Sequence, residues 1–191
     1  MLRRLYLFDV DDTLVISKSQ VLVKVKGETL RLPTTRWRHF KAENPDAEVS
    51  YEEFMGVESL TEGEFGPAFS LFTYWCSRKY EDIDVGILTN RSTEPGVIFQ
   101  GLTELCQKFN DSECHVNPNL IFATNSAFYY PLLKHMSPSE QKAEIVEAMI
   151  PEYSTIFFID DDHANLAAVG KLHPKIITVD PHRYAKDYLA S

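Results

Sequence analysis

The stretch Leu5-Tyr6-Leu7-Phe8-Asp9-Val10-Asp11-Asp12-Thr13 joins a short apolar run to a cluster of acidic residues. Such a continuous apolar run is typical of a strand buried on both faces, as in a parallel sheet covered by helices. Similar runs recur along the chain at Val85–Leu88, Leu120–Ala123, Ile156–Ile159 and Ile176–Val179. Together with Leu5–Phe8 they predict a five-stranded parallel sheet, with acidic residues directly after its first strand.

Helical patterns lie between these runs and predict the layers that cover the sheet. They are Ala68–Tyr80, Val97–Phe109, a helix opened by Ser137-Pro138-Ser139-Glu140 and closed by Pro151, and a short helix over Asp162–Val169. The first two carry apolar residues three and four positions apart, and serine followed by proline is typical of a helix N-terminus. Strands that alternate with helices predict an α/β, doubly wound, Rossmann-like fold, which we expect to form a single domain over residues 1–191.

The connection after the first strand is unusually long. Residues 16–64, called the insertion below, separate this strand from the first covering helix. The insertion is expected to contain alternating Gln20–Lys26, a Gly27-Glu28 turn, a return strand over Thr29–Leu32, a short helix near Thr35–Ala42 and an acidic loop over Asn44–Glu53. Alternating segments around a glycine turn predict a β-hairpin, so the insertion is interpreted as a small flap or cap.

Composition excludes several classes of protein. The chain has 191 residues, of which 44% are hydrophobic and 25% charged, as in ordinary globular domains. No apolar run approaches the roughly 18 residues of a membrane span, and the N-terminus does not resemble a secretory signal, so we expect a cytoplasmic protein without membrane contact. Three cysteines predict reduced thiols, and Cys106, Cys114 and His115 lack the paired-cysteine spacing of zinc sites.

Charge is distributed unevenly along the chain. The formal net charge is −9, which argues against indiscriminate binding of polyanions. Between Lys18 and Lys41, however, only Glu28 opposes the basic residues Lys18, Lys24, Lys26, Arg31, Arg36, Arg38 and Lys41. This strip either meets a phosphorylated substrate or is the solvated outer face of a hairpin. Trp37 and His39 within it either stack on a base or, for Trp37, anchor the insertion from inside.

Acidic residues follow two of the predicted strands, the first at Asp9, Asp11 and Asp12 and the fourth at Asp160, Asp161 and Asp162. Ligands of an open α/β sheet bind at the carboxyl ends of its strands, beside the point where the strand order reverses. Carboxylates that meet there repel one another unless a cation lies among them, and all-oxygen ligation near a phosphate suits Mg²⁺. The alternative interpretation is that these acids are helix N-caps.

These acids, with three residues from other elements, resemble the motifs of the haloacid dehalogenase (HAD) superfamily. The motifs are D-x-D-x-T at Asp9–Thr13, a hydroxyl at Thr89 with Asn90 beside it, a helix-borne Lys142, and the pair Asp160-Asp161. They occur in the superfamily's order and span the predicted core. The resemblance implies a phosphatase that acts on phosphomonoesters with Mg²⁺ as its cofactor.

The resemblance also implies a role for each matching residue. Asp9 is similar to the nucleophile that forms an aspartyl-phosphate, and Asp11 to the general acid/base. Phosphate binding falls to Thr89, Asn90 and Lys142, and metal binding to Asp9, Asp11 and Asp161. Thr13 resembles the residue that restrains Asp11, although it could be a plain turn residue, and Asp160 lies behind the metal ligands.

Several points stay open at the level of sequence. Lys134 could replace Lys142, and the run of three acids permits a shift of one residue in the metal ligand. Arg91 either contacts the distal part of a substrate or forms a salt bridge at the rim. The substrate is a small phosphorylated molecule, a nucleotide or a phosphorylated nucleic-acid end, with no obligate protein partner inferred. A phosphomutase or phosphotransferase and a non-catalytic phosphate-binding module are the alternative functions.

Overall fold

The computed structural model describes residues 2–77, 81–111 and 113–183. Its strands are β1 (Arg3–Phe8), β2 (Val15–Ile16), β3 (Val21–Val25), β4 (Glu28–Leu32), β5 (Glu48–Ser50), β6 (Glu64–Phe65), β7 (Ile83–Thr89), β8 (Ile121–Ala123), β9 (Tyr153–Ile159) and β10 (Ile176–Val179). Its α-helices are α1 (Thr34–Glu43), α2 (Glu58–Thr61), α3 (Phe69–Cys76), α4 (Pro95–Asn110), α5 (Tyr130–Leu133), α6 (Pro138–Met149) and α7 (His163–Gly170). Short 3₁₀ turns occupy Glu52–Phe54 and Pro118–Leu120.

The central sheet has five parallel strands in the order β10-β9-β1-β7-β8. From β1 the chain moves outward through β7 to β8, and then returns to the other side of β1 to form β9 and β10. The strand order therefore reverses between β1 and β9, which places the carboxyl ends of these two strands at the switch point of the sheet. The predicted α/β, doubly wound fold with a five-stranded parallel sheet is confirmed.

Alternation along β1 explains why helices cover both faces of the sheet. Tyr6 and Phe8 point to one face and share a core with residues of α3 and α4, including Phe72 and Leu102. Leu5 and Leu7 point to the other face and share a core with residues of α6 and α7, including Val146 and Val169. Because successive side chains of a strand point to opposite faces, a strand that is apolar throughout requires a cover on each side.

The predicted helices are present, with small differences at their ends. A capping box opens α6, since the Ser137 hydroxyl accepts from the Glu140 backbone N–H and the Glu140 carboxylate accepts from the Ser137 N–H. The helix predicted over Ala68–Tyr80 is described as Phe69–Cys76, and residues 78–80 lie outside the described part of the chain. The helix α5 was not predicted, because its four residues are too few to show a helical period.

The insertion is held closed at its base and carries its own small sheet. Strands β2 and β6 pair antiparallel at its two ends, and β3 pairs antiparallel with both β4 and β5. The hairpin turn is Lys26-Gly27, whose φ angles are 52° and 87°, one residue earlier than expected. The acidic loop expected over Asn44–Glu53 is wrong at Glu48–Ser50, which form the strand β5 by pairing with β3. The sequence of this short segment does not itself indicate a strand.

Trp37 anchors the insertion from inside rather than offering a stacking surface. Its side chain is buried with Val21, Val23 and Phe54, and its indole N–H donates to the Tyr51 hydroxyl at 2.9 Å. Because the ring is buried and Lys41 Nζ lies 5.9 Å from its centroid, it does not offer an open face to a base. In the described residues, no helix combines the length and apolar character needed to cross a bilayer.

Candidate active site

A tight loop directly after β1 carries the first acidic cluster. The backbone N–H groups of Leu14 and Val15 both donate to the Val10 carbonyl, at 2.8 and 2.9 Å. Asp12 adopts a φ of 61°, a left-handed conformation that aspartate tolerates better than most residues. The Asp9 N–H donates to the Ile159 carbonyl at 2.9 Å, so the loop begins beside the end of β9. The two acidic clusters of the sequence thus meet at the switch point.

Lys142 joins the two clusters. Its Nζ lies 2.7 Å from Asp9 Oδ1 and 2.7 Å from Asp160 Oδ2, and all three side chains are buried. Lys142 comes early in α6, the helix that packs on the face of the sheet behind β9. Lys134, the alternative from sequence, is exposed after α5. The structure therefore brings Lys142, and not Lys134, to the nucleophile candidate.

Burial and neighbouring charges shift the pKa values of Asp9 and Lys142. Burial raises the pKa of Asp9 well above its usual range, Lys142 opposes this shift, and the charges of Asp160, Asp161 and Asp11 add to it. Burial alone would lower the pKa of Lys142, but the charges of Asp9 and Asp160 outweigh it and leave that pKa raised. Lys142 is therefore a cation, and one cation does not balance the negative charge around Asp9.

Three carboxylates surround the position where a second cation would fit. Asp9, Asp160 and Asp161 each offer an oxygen, and these oxygens lie within 4.8 Å of one another. Three carboxylates against one ammonium leave two negative charges, which a divalent cation would balance. Oxygen donors suit a hard ion such as Mg²⁺, so the residues present fit that metal. The Asp11 carboxylate, a predicted ligand, lies outside this group.

The three consecutive acids after β9 have different partners. The Asp160 carboxylate accepts from Lys142, from the Asp162 N–H at 2.8 Å, and from the Asn165 side chain at 3.1 Å. The Asp162 carboxylate caps α7 by accepting from the Ala164 N–H at 2.8 Å. The N-cap interpretation therefore holds for Asp162, whereas Asp160, which was expected to lie behind the metal ligands, belongs to the carboxylate group itself.

Thr13 contacts Asp161 rather than Asp11. The Thr13 hydroxyl donates to Asp161 Oδ1 at 3.1 Å and accepts from the Asp161 N–H at 3.0 Å. We expected Thr13 to restrain Asp11, and this expectation is corrected. The buried hydroxyl instead holds both the backbone and the carboxylate of Asp161, and so orients one member of the carboxylate group.

Asp11 is held by Arg91, for which the sequence allowed either a contact with the distal part of a substrate or a salt bridge at the rim. Arg91 Nη2 donates to Asp11 Oδ1 at 2.7 Å, and Arg91 Nε donates to Asp11 Oδ2 at 2.9 Å. The Arg91 side chain is 2% exposed and the Asp11 side chain 23%, so this salt bridge is partly buried, with its arginine inside the protein rather than at the rim. The pairing engages both oxygens of Asp11, which lies near enough to Asp9 for its charge to raise the pKa of Asp9.

The end of β7 supplies the hydroxyl and amide that were expected to bind phosphate. Thr89 is buried and is the last residue of β7. Because Phe8 pairs with Ile87, Thr89 lies beside the loop that follows β1. The Asn90 side-chain nitrogen instead donates to Thr124 Oγ1 at 2.7 Å and Gln141 Oε1 at 3.1 Å. These bonds tie the residue after β7 to the residue after β8 and to α6, and they engage the side-chain nitrogen of Asn90.

Two supporting residues, Asn165 and Gln141, were missed from sequence, and only Asn165 left a signal. Asn165 is the one amide in the otherwise apolar segment Ala164–Val169, and a buried polar residue in such a helix needs a partner. Gln141 precedes Lys142 in α6, where Lys142, Val146 and Met149 share one face at spacings of four and three. A lysine on the apolar face of a helix is a sign of a buried charge with a partner.

Comparisons with known proteins add little to this geometry. No protein-family model matches the chain, and no curated protein matches it. Among solved structures, the crystal structure of the Legionella pneumophila effector Ceg4 with an N-terminal TEV protease cleavage sequence aligns over 100% of this chain and 94% of its own. The TM-score is 0.42 and the sequence identity is 12%, which is too low to support an argument about fold or function.

Proposed function

We propose that this chain is a Mg²⁺-dependent phosphomonoester hydrolase of the HAD superfamily, with Asp9 as its nucleophile. One observation carries the proposal. A buried lysine bridges Asp9 and Asp160 at the switch point, with the Asp161 carboxylate within 4.8 Å of them. Burying such an ionic group costs folding free energy, so its presence indicates a functional role. Titratable groups with perturbed pKa values also cluster at active sites.

The first chemical step is attack of the Asp9 carboxylate on phosphorus. Lys142 lies on one oxygen of Asp9, so it would orient the other oxygen and neutralise charge on an incoming phosphoryl group. Displacement splits one difficult hydrolysis into two easier steps through a covalent intermediate. Mg²⁺ held by Asp9, Asp160 or Asp161 would supply further neutralisation of the phosphoryl oxygens.

Asp11 is proposed as the acid/base for both steps. As an acid it gives a proton to the leaving oxygen, and as a carboxylate it takes a proton from the water that attacks the aspartyl-phosphate. Thr89 is the remaining candidate at the end of β7 for binding the phosphoryl group through its hydroxyl. A cytoplasmic location, where thiols stay reduced, belongs to the proposal and fits the free state of Cys76, Cys106 and Cys114.

The substrate class is proposed only as a phosphorylated small molecule, a nucleotide or a phosphorylated nucleic-acid end. Two basic residues of the insertion already have acidic partners within it, since Arg31 lies 2.7 Å from Glu53 and Lys24 lies 3.5 Å from Glu48. These pairs reduce the positive charge that the insertion offers to a polyanion. A small phosphomonoester is therefore as compatible with the surface as a nucleic-acid end.

The test is release of phosphate from p-nitrophenyl phosphate, with and without Mg²⁺. We expect turnover with Mg²⁺, loss in EDTA, and no turnover by Asp9→Asn, whose amide keeps the shape of the side chain but cannot attack phosphorus. A screen of phosphorylated metabolites, nucleotides and phosphorylated oligonucleotides then identifies the substrate class. Phosphoryl transfer to an added sugar or alcohol instead of water would favour a phosphotransferase. Binding of phosphate without any turnover would favour a non-catalytic module.

A further inference from the structure

We infer that Arg91 is a positioning residue that holds Asp11 as the base for hydrolysis of the aspartyl-phosphate and ties it to the insertion. This inference rests on the function proposed above. Arg91 does not contact Asp9, Asp160 or Asp161 in the hydrogen bonds of the described residues, so it would act through Asp11 alone.

The geometry of the Arg91–Asp11 pair fixes the orientation of the Asp11 side chain. Both carboxylate oxygens accept hydrogen bonds from the guanidinium, at 2.7 and 2.9 Å, in the parallel arrangement that arginine forms with carboxylates. Two parallel hydrogen bonds restrict rotation of the carboxylate group, so Arg91 determines where Asp11 points. A general base acts only when it is positioned to reach the proton that it takes.

Arg91 also reaches the insertion through its remaining nitrogen. Nη1 donates to the Ser59 hydroxyl at 2.7 Å and lies 3.4 Å from the Phe54 carbonyl, and the guanidinium lies 5.5 Å from the centre of the Phe54 ring. Ser59 is fixed in turn, because its hydroxyl donates to the Gly56 carbonyl at 2.6 Å. One guanidinium therefore connects Asp11 to the insertion, through partly buried bonds to Asp11 and buried bonds to Ser59 and Phe54.

A second contact joins the insertion to the same loop. The Thr34 hydroxyl, at the first residue of α1, donates to Asp12 Oδ2 at 3.0 Å. Asp12 is the left-handed residue that follows Asp11, so the insertion contacts the loop directly at Asp12 and through Arg91 at Asp11. Movement of the insertion would thus be transmitted to the orientation of Asp11.

The proton and bond changes of the proposed step are as follows. The water oxygen forms a bond to phosphorus while the bond between phosphorus and the Asp9 oxygen breaks, which returns Asp9 to a carboxylate. The water gives one proton to the Asp11 carboxylate held by Arg91. Protonated Asp11 accepts less well from Arg91, and in the next turnover it gives this proton to the leaving oxygen. Arg91 keeps its own protons throughout.

The test compares two steps of turnover in Arg91→Lys and Arg91→Gln. With p-nitrophenyl phosphate, the leaving group needs little help from an acid, so the first step reports on Asp9 and the second on Asp11. We expect kcat to fall by about tenfold or more, because general-base catalysis contributes at least that much. KM should fall in parallel, the pre-steady-state burst of nitrophenol should persist, and aspartyl-phosphate should accumulate in acid-quenched samples.

Two further variants keep the test independent of folding. Ser59→Ala removes the support at Nη1 without touching Asp11, and it should show a weaker form of the same pattern. Thr93→Val is the matched control, since the Thr93 hydroxyl donates to the Phe54 carbonyl at 2.6 Å but is not bonded to Arg91. We expect it to leave kcat, KM and the burst each unchanged.

A double variant tests whether Arg91 acts through Asp11. Adding Arg91→Lys to Asp11→Asn should slow release of phosphate from the aspartyl-phosphate no further, because a residue that acts through another is silent once that other is gone. A fall in burst amplitude together with kcat at constant KM, in Arg91→Lys and Ser59→Ala, would overturn the inference and leave the proposed function standing. Absence of turnover in the unaltered chain would overturn both.

Discussion

Lys142 shows how much one residue contributes to this site. Its ammonium is the counter-ion of two buried carboxylates, Asp9 and Asp160, and it links the helix α6 to the ends of β1 and β9. Removing one member of a buried ionic group leaves the others without compensation, which costs more than the group's net contribution to stability.

Lys142→Met should therefore lower the free energy of unfolding by about 3 kcal/mol and abolish turnover. Lys134→Met is the matched control, because that lysine is exposed, and we expect a change within about 0.5 kcal/mol. Urea unfolding at fixed pH, followed by circular dichroism, measures both variants. Equal stability of the two would contradict the role of Lys142 as the buried counter-ion.

Asp161 and Asp162 offer a second comparison between neighbours. Asp161 belongs to the carboxylate group, whereas Asp162 caps α7. We expect Asp161→Ala to weaken Mg²⁺ binding by more than about tenfold, as loss of metal-site residues does. Asp162→Ala should cost about 1 kcal/mol of stability through the lost cap, with a smaller effect on Mg²⁺. Calorimetric titration with Mg²⁺ decides, and the reverse order of affinities would move the metal ligand by one residue.

At the scale of elements, the insertion and the core meet at Gly66. A Cβ at this position would lie 2.5 Å from the Thr13 carbonyl oxygen and 2.7 Å from the Leu14 carbonyl carbon, both backbone atoms of the loop after β1. The Gly66 N–H also donates to the Leu14 carbonyl at 2.8 Å. The glycine therefore permits the chain returning from the insertion to press against the loop that carries Asp9 and Asp11.

Gly66→Ala should lower stability by about 1–3 kcal/mol, in the range seen for overpacked positions, and should also lower turnover because the loop must shift. Gly96→Ala in the first turn of α4 is its control, since an added Cβ meets nothing there within 4 Å. That variant should change stability by less than about 1 kcal/mol. Thermal unfolding of both, followed by the p-nitrophenyl phosphate assay, gives the comparison. Unimpaired turnover in Gly66→Ala would contradict this coupling of insertion and loop.

The elements also show where sequence reasoning succeeds. Strands such as Leu5–Phe8 and Ile156–Ile159 were predictable because burial on both faces makes them apolar throughout. The short strand β5 was not predictable, because its structure comes from pairing with β3 and not from its own residues. The meeting of Asp9 and Asp160 followed from topology, and Lys142 was implied by the resemblance, with Lys134 left open. The contacts of Arg91 and Thr13 depend on side-chain directions that spacing does not determine.

At the scale of the whole molecule, a net charge of −9 opposes anionic substrates, and the insertion is the exception. Lys24, Lys26 and Arg36 are exposed on it, while the side chain of Arg38, which belonged to the same expectation, lies outside the described part. Exposed charges act mainly on encounter with the substrate, and salt screens them beyond about 8–10 Å.

Neutralising Lys24, Lys26 and Arg36 together should therefore raise KM for a phosphorylated oligonucleotide and flatten its dependence on salt. Turnover of p-nitrophenyl phosphate should change little, because this small ester does not extend to the insertion. The triple variant is needed, since one exposed charge contributes less than about 1 kcal/mol. Steady-state kinetics at several salt concentrations provide the measurement. Equal losses on both substrates would show that these residues serve the structure of the insertion.

The proposed hydrolase activity depends on covalent chemistry at Asp9, and one measurement tests this chemistry most directly. The chain is mixed with p-nitrophenyl phosphate and Mg²⁺, quenched in acid within the first turnover, and digested for mass spectrometry of the peptide that contains Asp9. We predict a phosphoryl group on Asp9 that disappears in later samples and is absent in Asp9→Asn. Turnover without this adduct, or equal turnover by Asp9→Asn, would contradict the account.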